Sequence, residues 1–313
     1  MRIAVDIMGG EKAPREILKG VSAFSNAHPE IKILLCVSEN TNFISDILRD
    51  NKNMEGLFYS DRIEMEDLPY TAKKDKPDNT ISGAIKAVEN NDADCAFSCG
   101  NSGALILSAS DILGLRSDHT VPALLSFIPM YRRIPLAVFD VGAMGNRNFN
   151  SDIYYAHLPE TINIYSKLFD IPDPRIGLLN IGKESWKGTH EHKKIYDLLK
   201  CSEYNFTGNL EGDEILSSDT HILICDGFCG NIVLKLLESF NFMLGNMPDN
   251  IYNNIDCENE YNFLNFLLTE FSYETVGAAV ILGINGKVAL GHGKSSAKAV
   301  KSGLELCLRY CKI

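Results

Sequence analysis

The sequence predicts an α/β protein built on an open, mostly parallel sheet with helices on both faces. Short apolar runs, as expected of strands buried on both sides, alternate along the chain with longer segments of helical periodicity. Four of these runs end in a tight, glycine-containing turn that also carries Asn or Asp. The four segments are Ile3–Gly10, Cys95–Gly103, Ala137–Gly145 and Ile222–Asn231. Strand–helix alternation of this kind is typical of a parallel sheet covered by helices.

The first half of the chain begins with a strand and continues in strand–helix order. Pro14 suits the first turn of a helix over Glu16–Phe24, and Asn79 can cap a helix that runs to Glu89. The other strands predicted in this half are Ile31–Val37, Arg62–Glu66, Cys95–Ser98 and Leu136–Asp140, and the other helices are Thr41–Asp50, Ser102–Leu113 and Asp152–Phe169.

The second half continues the alternation and then departs from it. Its predicted strands are Arg175–Ile181, His221–Cys225 and Gly286–Leu290, and its predicted helices are His190–Leu199, Gly230–Leu244 and Ser295–Leu308. Asn246–Glu270 breaks the pattern, because a polar stretch there leads into an apolar run rich in aromatic residues. Since no low-complexity linker or internal repeat separates the parts, we expect one domain over 1–313.

The composition is that of a globular protein. The 313 residues are 45% hydrophobic and 23% charged, which is enough apolar sequence for a sizeable core. The net charge of -11 argues against a nucleic-acid partner, because such a partner requires a clustered basic face. No apolar stretch is long enough to span a bilayer and no signal-peptide core follows Met1, so we expect a cytoplasmic protein.

The 9 cysteines include no Cys-x-x-Cys pair. The pairs Cys95/Cys99 and Cys225/Cys229 are four residues apart, which leaves a zinc site as an alternative. One member of each pair lies in an apolar run and the other in a turn, however, and this pattern favours small buried side chains. We therefore predict neither a metal site nor a cofactor.

The glycine turns predict a single composite site for a small anion. Ligands of parallel sheets bind at the carboxyl ends of the strands, where glycine allows close approach and the next helix offers N–H groups. The leading candidate is the turn that contains Asn101, Ser102 and Gly103. A plain strand-to-helix turn with Ser102 as the N-cap is the alternative. The turn matches neither a dinucleotide-binding fingerprint nor a P-loop.

The other three turns supply further candidate ligand-binding residues. These are Asp6, Gly9, Gly10, Asp140, Gly142, Asp226, Gly227, Gly230 and Asn231. Asn231 is interpreted either as a ligand-binding side chain or as a helix cap. Asp6 is a candidate metal ligand, although ordering of its own turn through local hydrogen bonds is the favoured interpretation. Met144 stands where a polar side chain could face the site.

Two later loops supply cationic and proton-transferring groups. Lys187 lies in the loop after the predicted strand Arg175–Ile181, and a lysine there suits a phosphate or a developing oxyanion. His292 and Ser295 lie between a strand and the last helix. The alternatives are a solvated loop for Lys187 and a structural role for His292.

Six segments match, in order, the motifs of one enzyme family. They are Met1–Gly10 followed by Ala13-Pro14, Ser98–Ala104 with Ser102 in place of Thr, Asp140–Ala143, Gly177–Gly182, Lys187-Gly188 and Asp226–Asn231. By these motifs, which cover nearly the whole chain, the protein resembles the phosphate acyltransferases of bacterial phospholipid synthesis. The resemblance implies a Rossmann-like sheet of the isopropylmalate-dehydrogenase type and a homodimer formed through the second half. It also implies a helical projection over about 246–273 that touches the inner face of the plasma membrane.

The chain departs from the family pattern at three places. Glu11-Lys12 stands where the family usually has Asp-His, and Met144 stands where it has Asn. The closing Gly-His-Gly-Ser-Ser motif contains the additional Lys294. The projection is acidic rather than basic, so packing within a dimer explains its apolar residues as well as membrane contact does.

The resemblance implies that inorganic phosphate attacks the thioester of an acyl group carried by acyl carrier protein. No protein nucleophile is needed, so the enzyme must orient the anion and stabilise the tetrahedral oxyanion. On this hypothesis Asn101, Ser102, Gly103 and Asn231 hold phosphate, Lys187 neutralises charge and His292 donates a proton. A downstream glycerol-3-phosphate acyltransferase would receive the acyl phosphate.

Three other functions remain open. A phosphotransacylase acting on short-chain acyl-coenzyme A would use the same chemistry. A dehydrogenase on a related fold would need a carboxylate cluster for a divalent metal, which the sequence does not make evident. A weakly active scaffold that delivers acyl carrier protein to a membrane acyltransferase is kept open by Met144.

Overall fold

The computed structural model describes residues 1–38, 44–117, 121–131, 133–144, 149–245, 263, 266–267 and 269–313. The described residues form two compact units, one of Met1–Pro122 with Gly277–Ile313 and one of Ala123–Val276. One domain over 1–313 therefore stays a prediction. Most of the predicted projection, about 246–273, lies outside the described residues, and so do 41–43 of the predicted helix Thr41–Asp50.

The first unit begins with alternating strands and helices. Its strands are β1 (Arg2–Asp6), β2 (Lys32–Ser38), β3 (Met54–Tyr59) and β4 (Cys95–Ser98), and its helices are α1 (Arg15–Ala27), α2 (Ile44–Asp50), α3 (Pro69–Asp75), α4 (Thr80–Glu89) and α5 (Ser102–Leu113). Asn79 caps α4 by accepting a hydrogen bond from the Ser82 N–H at 2.9 Å, as the sequence predicts.

The second unit interrupts the first and has the same strand–helix build. Its strands are β5 (Ala123–Met130), β6 (Arg133–Phe139), β7 (Ile176–Leu179), β8 (Phe206–Leu210) and β9 (Ile222–Ile224), and its helices are α6 (Ser151–Phe169), α7 (His190–Cys201), α8 (Gly227–Gly245) and α9 (Tyr273–Val276), with a short 3₁₀ turn at Gly212–Glu214. The chain then returns to the first unit, which it completes with β10 (Ala278–Leu282), β11 (Val288–Gly291) and α10 (Ala297–Tyr310).

Each unit contains a mostly parallel sheet. The first unit orders its strands β3-β2-β1-β4-β11-β10, with β10 antiparallel to β11, and the second orders them β5-β6-β9-β7-β8, with β5 antiparallel to β6. The central strands are fully apolar and buried, including Ile3–Val5 of β1 and Ile222–Ile224 of β9. This burial explains their uninterrupted hydrophobic sequence. The predicted α/β class with a mostly parallel sheet is confirmed.

One predicted strand is wrong and four observed strands were not predicted. Arg62–Glu66 is a loop with a turn, and the neighbouring strand is β3. The strands that were not predicted are β3, β5, β8 and β10. β3 and β8 have partly exposed patterns, β8 contains Gly208 and Asn209, and β5 contains Pro129. β10 is an apolar run whose last three residues are buried, so the sequence does carry a signal for it. Across the described part of the chain, we find no helix with the length and apolar character needed to cross a bilayer.

Candidate active site

In the first unit, three neighbouring parallel strands end side by side. β1, β4 and β11 are adjacent and parallel, so the turns that follow Asp6, Ser98 and Gly291 lie at one edge of the sheet. The Glu11 N–H donates to the Gly293 carbonyl at 2.8 Å, and this bond ties the first turn to the third. A Cβ on Gly9 would overlap the Asp6 carboxylate and lie 2.7 Å from the Gly100 Cα. Glycine is therefore required where the first two turns touch.

Asp6 lies beneath these turns rather than in an open site. Its side chain is fully buried and accepts hydrogen bonds from the Ser98 hydroxyl at 2.7 Å and the Met8 N–H at 3.1 Å. The Ser98 hydroxyl oxygen accepts in turn from the Gly100 N–H at 2.9 Å. Burial raises the pKa of the Asp6 carboxyl above its ordinary value. The chain of bonds supports the interpretation that Asp6 orders the turns.

The Asn101 side chain is engaged on both of its polar atoms. Its Oδ1 accepts from the Ala104 N–H at 3.0 Å and so caps α5. Its Nδ2 donates to the carbonyl oxygens of Met65 at 3.1 Å and Asp67 at 2.9 Å. The cap is Asn101 and not Ser102. Direct contact of the Asn101 side chain with an anion stays a prediction.

The first turn of α5 offers backbone donors at the carboxyl end of β4. The Ser102 and Gly103 N–H groups precede the first intrahelical hydrogen bonds, as at every helix start. Ser102 is exposed, and a Cβ on Gly103 would lie 2.6 Å from Pro69 Cγ at the start of α3. A helix start of this kind favours an anion through its N–H groups and its dipole.

His292 and Ser295 occupy the third turn of this edge. The His292 Nδ1 accepts from the Lys294 N–H at 3.2 Å, which places the proton of a neutral ring on Nε2. The Ser295 N–H donates to the His292 carbonyl at 2.9 Å, and the Ser295 side chain is buried. The structure thus brings His292 to the same edge as Gly10 and Gly100.

In the second unit, Asp140 is the centre of the turn after β6. It is fully buried, it has a positive φ of 60°, and its two carboxylate oxygens accept from the N–H groups of Ala143 at 2.9 Å and Met144 at 3.1 Å. Longer bonds reach it from Leu124 and Gly142. The Met144 side chain is itself buried, so its backbone rather than its thioether meets the aspartate.

The burial of Asp140 predicts a pH-dependent stability. Burial raises the pKa of this carboxyl from 3.8 to about 6, so the folded protein holds the proton more tightly than the unfolded chain. Its stabilising contribution is therefore complete below about pH 4 and is lost as the pH rises to about 6. We expect the free energy of unfolding of the wild type to fall by about 2 kcal/mol relative to Asp140→Asn between pH 4 and pH 7. Urea unfolding at both pH values measures this difference, and parallel pH profiles would contradict it.

The turn after β9 packs directly on the Asp140 turn. Asp226 Oδ1 accepts from the Cys229 N–H at 2.9 Å, so Asp226 caps α8. Asn231 therefore lies in the second turn of α8. The interpretation of Asn231 as a helix cap is wrong. Its side chain is exposed, and its Cβ lies 3.5 Å from the position of a Cβ on Gly142.

The Lys187 loop follows β7, which lies next to β9 in the sheet. Buried Asn180 donates from Nδ2 to the Lys187 carbonyl at 3.2 Å and so holds the loop. Lys183 of the same loop forms an ion pair with Glu214. Within the described ranges, Lys187 has no carboxylate within 4.0 Å, which leaves its ammonium group for a ligand.

A cavity of about 880 Å³ opens at this edge of the second unit. Its lining includes Gly188 of the Lys187 loop and Asp226 at the start of α8. His192 of α7 also lines it, and burial lowers the pKa of this imidazole below its ordinary value. Sequence reasoning missed His192, Asn180 and Ser98. Asn180 lies in the matched motif Gly177–Gly182, and that was the one signal available for it.

The structure therefore groups the predicted site residues into two sets. Asp6, Gly9, Gly10, Asn101, Ser102, Gly103, His292 and Ser295 belong to the first unit, and Asp140, Gly142, Lys187, Asp226, Gly227, Gly230 and Asn231 belong to the second. The single composite site stays a prediction. In the described ranges, no three or more His, Cys, Asp or Glu side chains are grouped so as to hold a metal ion.

Comparison with known proteins identifies the family to which this chain belongs. The chain matches the model of a family described as "Fatty acid synthesis protein" over residues 1–312. A phosphate acyltransferase from Dictyoglomus thermophilum is 32% identical over 325 aligned positions, which cover 100% of this chain and 95% of the relative. The chain belongs to the phosphate acyltransferase family. The acyltransferase class predicted from the motifs is confirmed.

Solved structures of other enzymes share the fold of this phosphate acyltransferase family member. A branched-chain phosphotransacylase from Enterococcus faecalis has a TM-score of 0.63 at 13% identity, with 99% of both chains covered. A 4-hydroxythreonine-4-phosphate dehydrogenase from Klebsiella pneumoniae has a TM-score of 0.53 at 12% identity and covers 100% of this chain and 98% of its own. The predicted fold, shared with dehydrogenases, is thereby confirmed.

The residues that depart from the phosphate acyltransferase pattern differ in how far they are buried. Glu11 and Lys12 are exposed, and the inserted Lys294 supplies the N–H that binds the His292 ring. Met144 is buried, so its thioether does not face an open site. The buried position of Met144 gives no support to the scaffold alternative.

Proposed function

We propose that this protein transfers a fatty acyl group from acyl carrier protein to inorganic phosphate and so forms acyl phosphate for phospholipid synthesis. The full-length relationship to proteins named phosphate acyltransferase carries the proposal. Two features of the described residues suit a phosphate substrate. The Ser102 and Gly103 N–H groups lie at the start of α5, and Lys187 has no carboxylate partner among these residues.

In the proposed reaction a phosphate oxygen attacks the thioester carbon, a C–O bond forms and the C–S bond breaks. The Ser102 and Gly103 N–H groups and the Asn231 amide hold phosphate, and Lys187 offsets negative charge as the tetrahedral oxyanion develops. His292 donates a hydrogen bond from Nε2 to the sulfur of the departing phosphopantetheine thiolate, and the thiolate takes up the proton that hydrogen phosphate loses when it attacks. Asp6 and Asp140 act through the backbone turns that they hold.

The donor distinguishes this function from that of a short-chain phosphotransacylase. Purified full-length protein is incubated with phosphate and either hexadecanoyl-acyl carrier protein or acetyl-coenzyme A, and acyl phosphate is trapped as a hydroxamate. We expect product with the carrier-protein donor only. Turnover of acetyl-coenzyme A alone would overturn the proposal in favour of the phosphotransacylase.

We also propose that the protein is a homodimer that pairs through α8. Leu236, Phe240 and Met243 are spaced four and three residues apart on this helix, so they share one face, and each is more than 40% exposed. An exposed apolar stripe of this kind is typical of an interface between subunits.

Leu236→Glu is expected to convert the dimer to a monomer, because it places a charge in the apolar stripe. Sedimentation equilibrium measures the mass of each form. Leu198→Glu on α7, which also replaces an exposed leucine, is the control and is expected to leave the dimer intact. A monomeric wild type would contradict the assignment.

We further propose that this enzyme lies in the cytoplasm and contacts the inner face of the plasma membrane. It would pass acyl phosphate to a glycerol-3-phosphate acyltransferase. Phe266 and Phe271 of the predicted projection are buried, and the Phe266 ring lies 5.3 Å from that of Tyr131. Membrane contact would therefore depend on other residues, and Leu264 and Leu268 lie outside the described residues. Failure to float with anionic vesicles would remove the membrane proposal.

A further inference from the structure

The cavity of the second unit is not explained by phosphate binding. Three carboxylates, those of Glu211, Asp213 and Asp226, contribute to its lining, and none of the described residues that line it is a lysine or arginine. Carboxylates disfavour an anion nearby. A phosphate or a nucleotide is therefore a poor occupant, and a neutral group is a better one.

The walls of this cavity are largely apolar. Leu179 and Ile181 from the end of β7, Ile215 after the 3₁₀ turn, and Ile232 and Val233 from α8 all contribute. Ile215 is buried, whereas Ile181 is 80% exposed, so the cavity has both an interior and an open mouth. Its volume of about 880 Å³ lies within the range of about 300–1,000 Å³ that is typical of small-ligand pockets.

The mouth lies beside the proposed chemistry. Gly188 lines the cavity and follows Lys187 directly, and Asp226 lines it and caps the helix that carries Asn231. A ligand in this cavity therefore contacts both the Lys187 loop and the buried Ile215 side chain.

We propose that this cavity receives the hydrocarbon chain of the acyl donor, with the thioester carbonyl at its mouth. This assignment rests on the proposed function and adds to it the site that selects chain length. Each CH₂ moved from water to an apolar site is worth about 0.8 kcal/mol, or about fourfold in affinity. A filled cavity therefore favours long chains over short ones.

Gly212 offers a direct way to fill the cavity. It lines the cavity, and a Cβ built on it meets no heavy atom within 4 Å. The first atom of the Gly212→Phe side chain therefore meets no atom of the described residues. We expect the ratio of kcat/KM for hexadecanoyl- over octanoyl-acyl carrier protein to fall at least about tenfold in this variant. Ser217→Phe, at an exposed position outside the lining, is the control and is expected to keep the wild-type ratio.

A second variant and a binding measurement distinguish a filled cavity from a variant that fails to fold. Ile232→Trp narrows the cavity at a half-exposed position, and calorimetry in phosphate-free buffer measures the binding of uncharged S-hexadecanoyl pantetheine to each protein. Weaker binding by both filled variants supports the assignment. An unchanged chain-length ratio in folded Gly212→Phe overturns it, even if acyl phosphate is formed. Absence of acyl phosphate from the wild type with either donor defeats the proposed function instead, and the binding of S-hexadecanoyl pantetheine then still decides whether the cavity takes a hydrocarbon chain.

Discussion

Lys187→Ala is expected to lower kcat/KM for phosphate by about 100- to 1,000-fold, the usual cost of removing one group that stabilises developing charge. Lys187 is the lysine of its loop that has no carboxylate partner among the described residues, and its carbonyl is fixed by buried Asn180. The loop backbone is therefore held by the fold, and the Lys187 ammonium group forms no ion pair with a carboxylate of the described residues. Steady-state kinetics with varied phosphate measure the effect.

Lys183→Ala is the matched control for this prediction. Lys183 belongs to the same loop, but its ammonium group is held by Glu214 and is 62% exposed. An exposed ion pair contributes little to stability, so both variants are expected to unfold within about 1 kcal/mol of the wild type. Near-normal phosphate-dependent turnover by Lys187→Ala would show that the charge role is wrong.

Gly230→Ala is expected to destabilise the second unit by about 3 kcal/mol, through a clash that the backbone cannot relieve. A Cβ at this position would overlap the Asp140 carbonyl oxygen and lie 2.8 Å from the buried Cys225 Sγ. Glycine is thus the residue that lets the start of α8 approach the Asp140 turn. The midpoint of urea unfolding, followed by circular dichroism, measures the loss.

Gly212→Ala provides the control on the same unit. A methyl group there meets no heavy atom within 4 Å, so we expect a change of less than about 0.5 kcal/mol. If Gly230→Ala unfolds at the same urea concentration as Gly212→Ala, the close approach between α8 and the Asp140 turn is not as described.

The fold could be predicted where the signal is local. β1, β4, β6 and β9 are continuous apolar runs that end in glycine turns, and burial on both faces produces that pattern directly. The antiparallel strand β5 and the edge strand β8 were missed, because Pro129 interrupts the first and polar residues fill the second. Partly exposed strands do not need an uninterrupted hydrophobic sequence.

The candidate site could be predicted only in part for a related reason. Glycine turns and their Asn and Asp residues are visible in the sequence, but the partners of each side chain depend on tertiary contacts. The sequence could not show that the Asn101 amide binds the Met65 and Asp67 carbonyls, or that Asp226 rather than Asn231 caps α8. The cavity likewise forms only when β7, β9 and α8 come together, and the role of His192 in its lining depends on that tertiary arrangement.

Transfer of the acyl group to phosphate is tested most directly by the origin of the oxygen in the product. Purified full-length protein is incubated with hexadecanoyl-acyl carrier protein and phosphate uniformly labelled with oxygen-18. The masses of the products are then measured by mass spectrometry. We predict acyl phosphate that retains every labelled oxygen of the phosphate, formed one-to-one with free carrier thiol. Free hexadecanoate that carries oxygen from water, released at a rate independent of phosphate, would contradict the account.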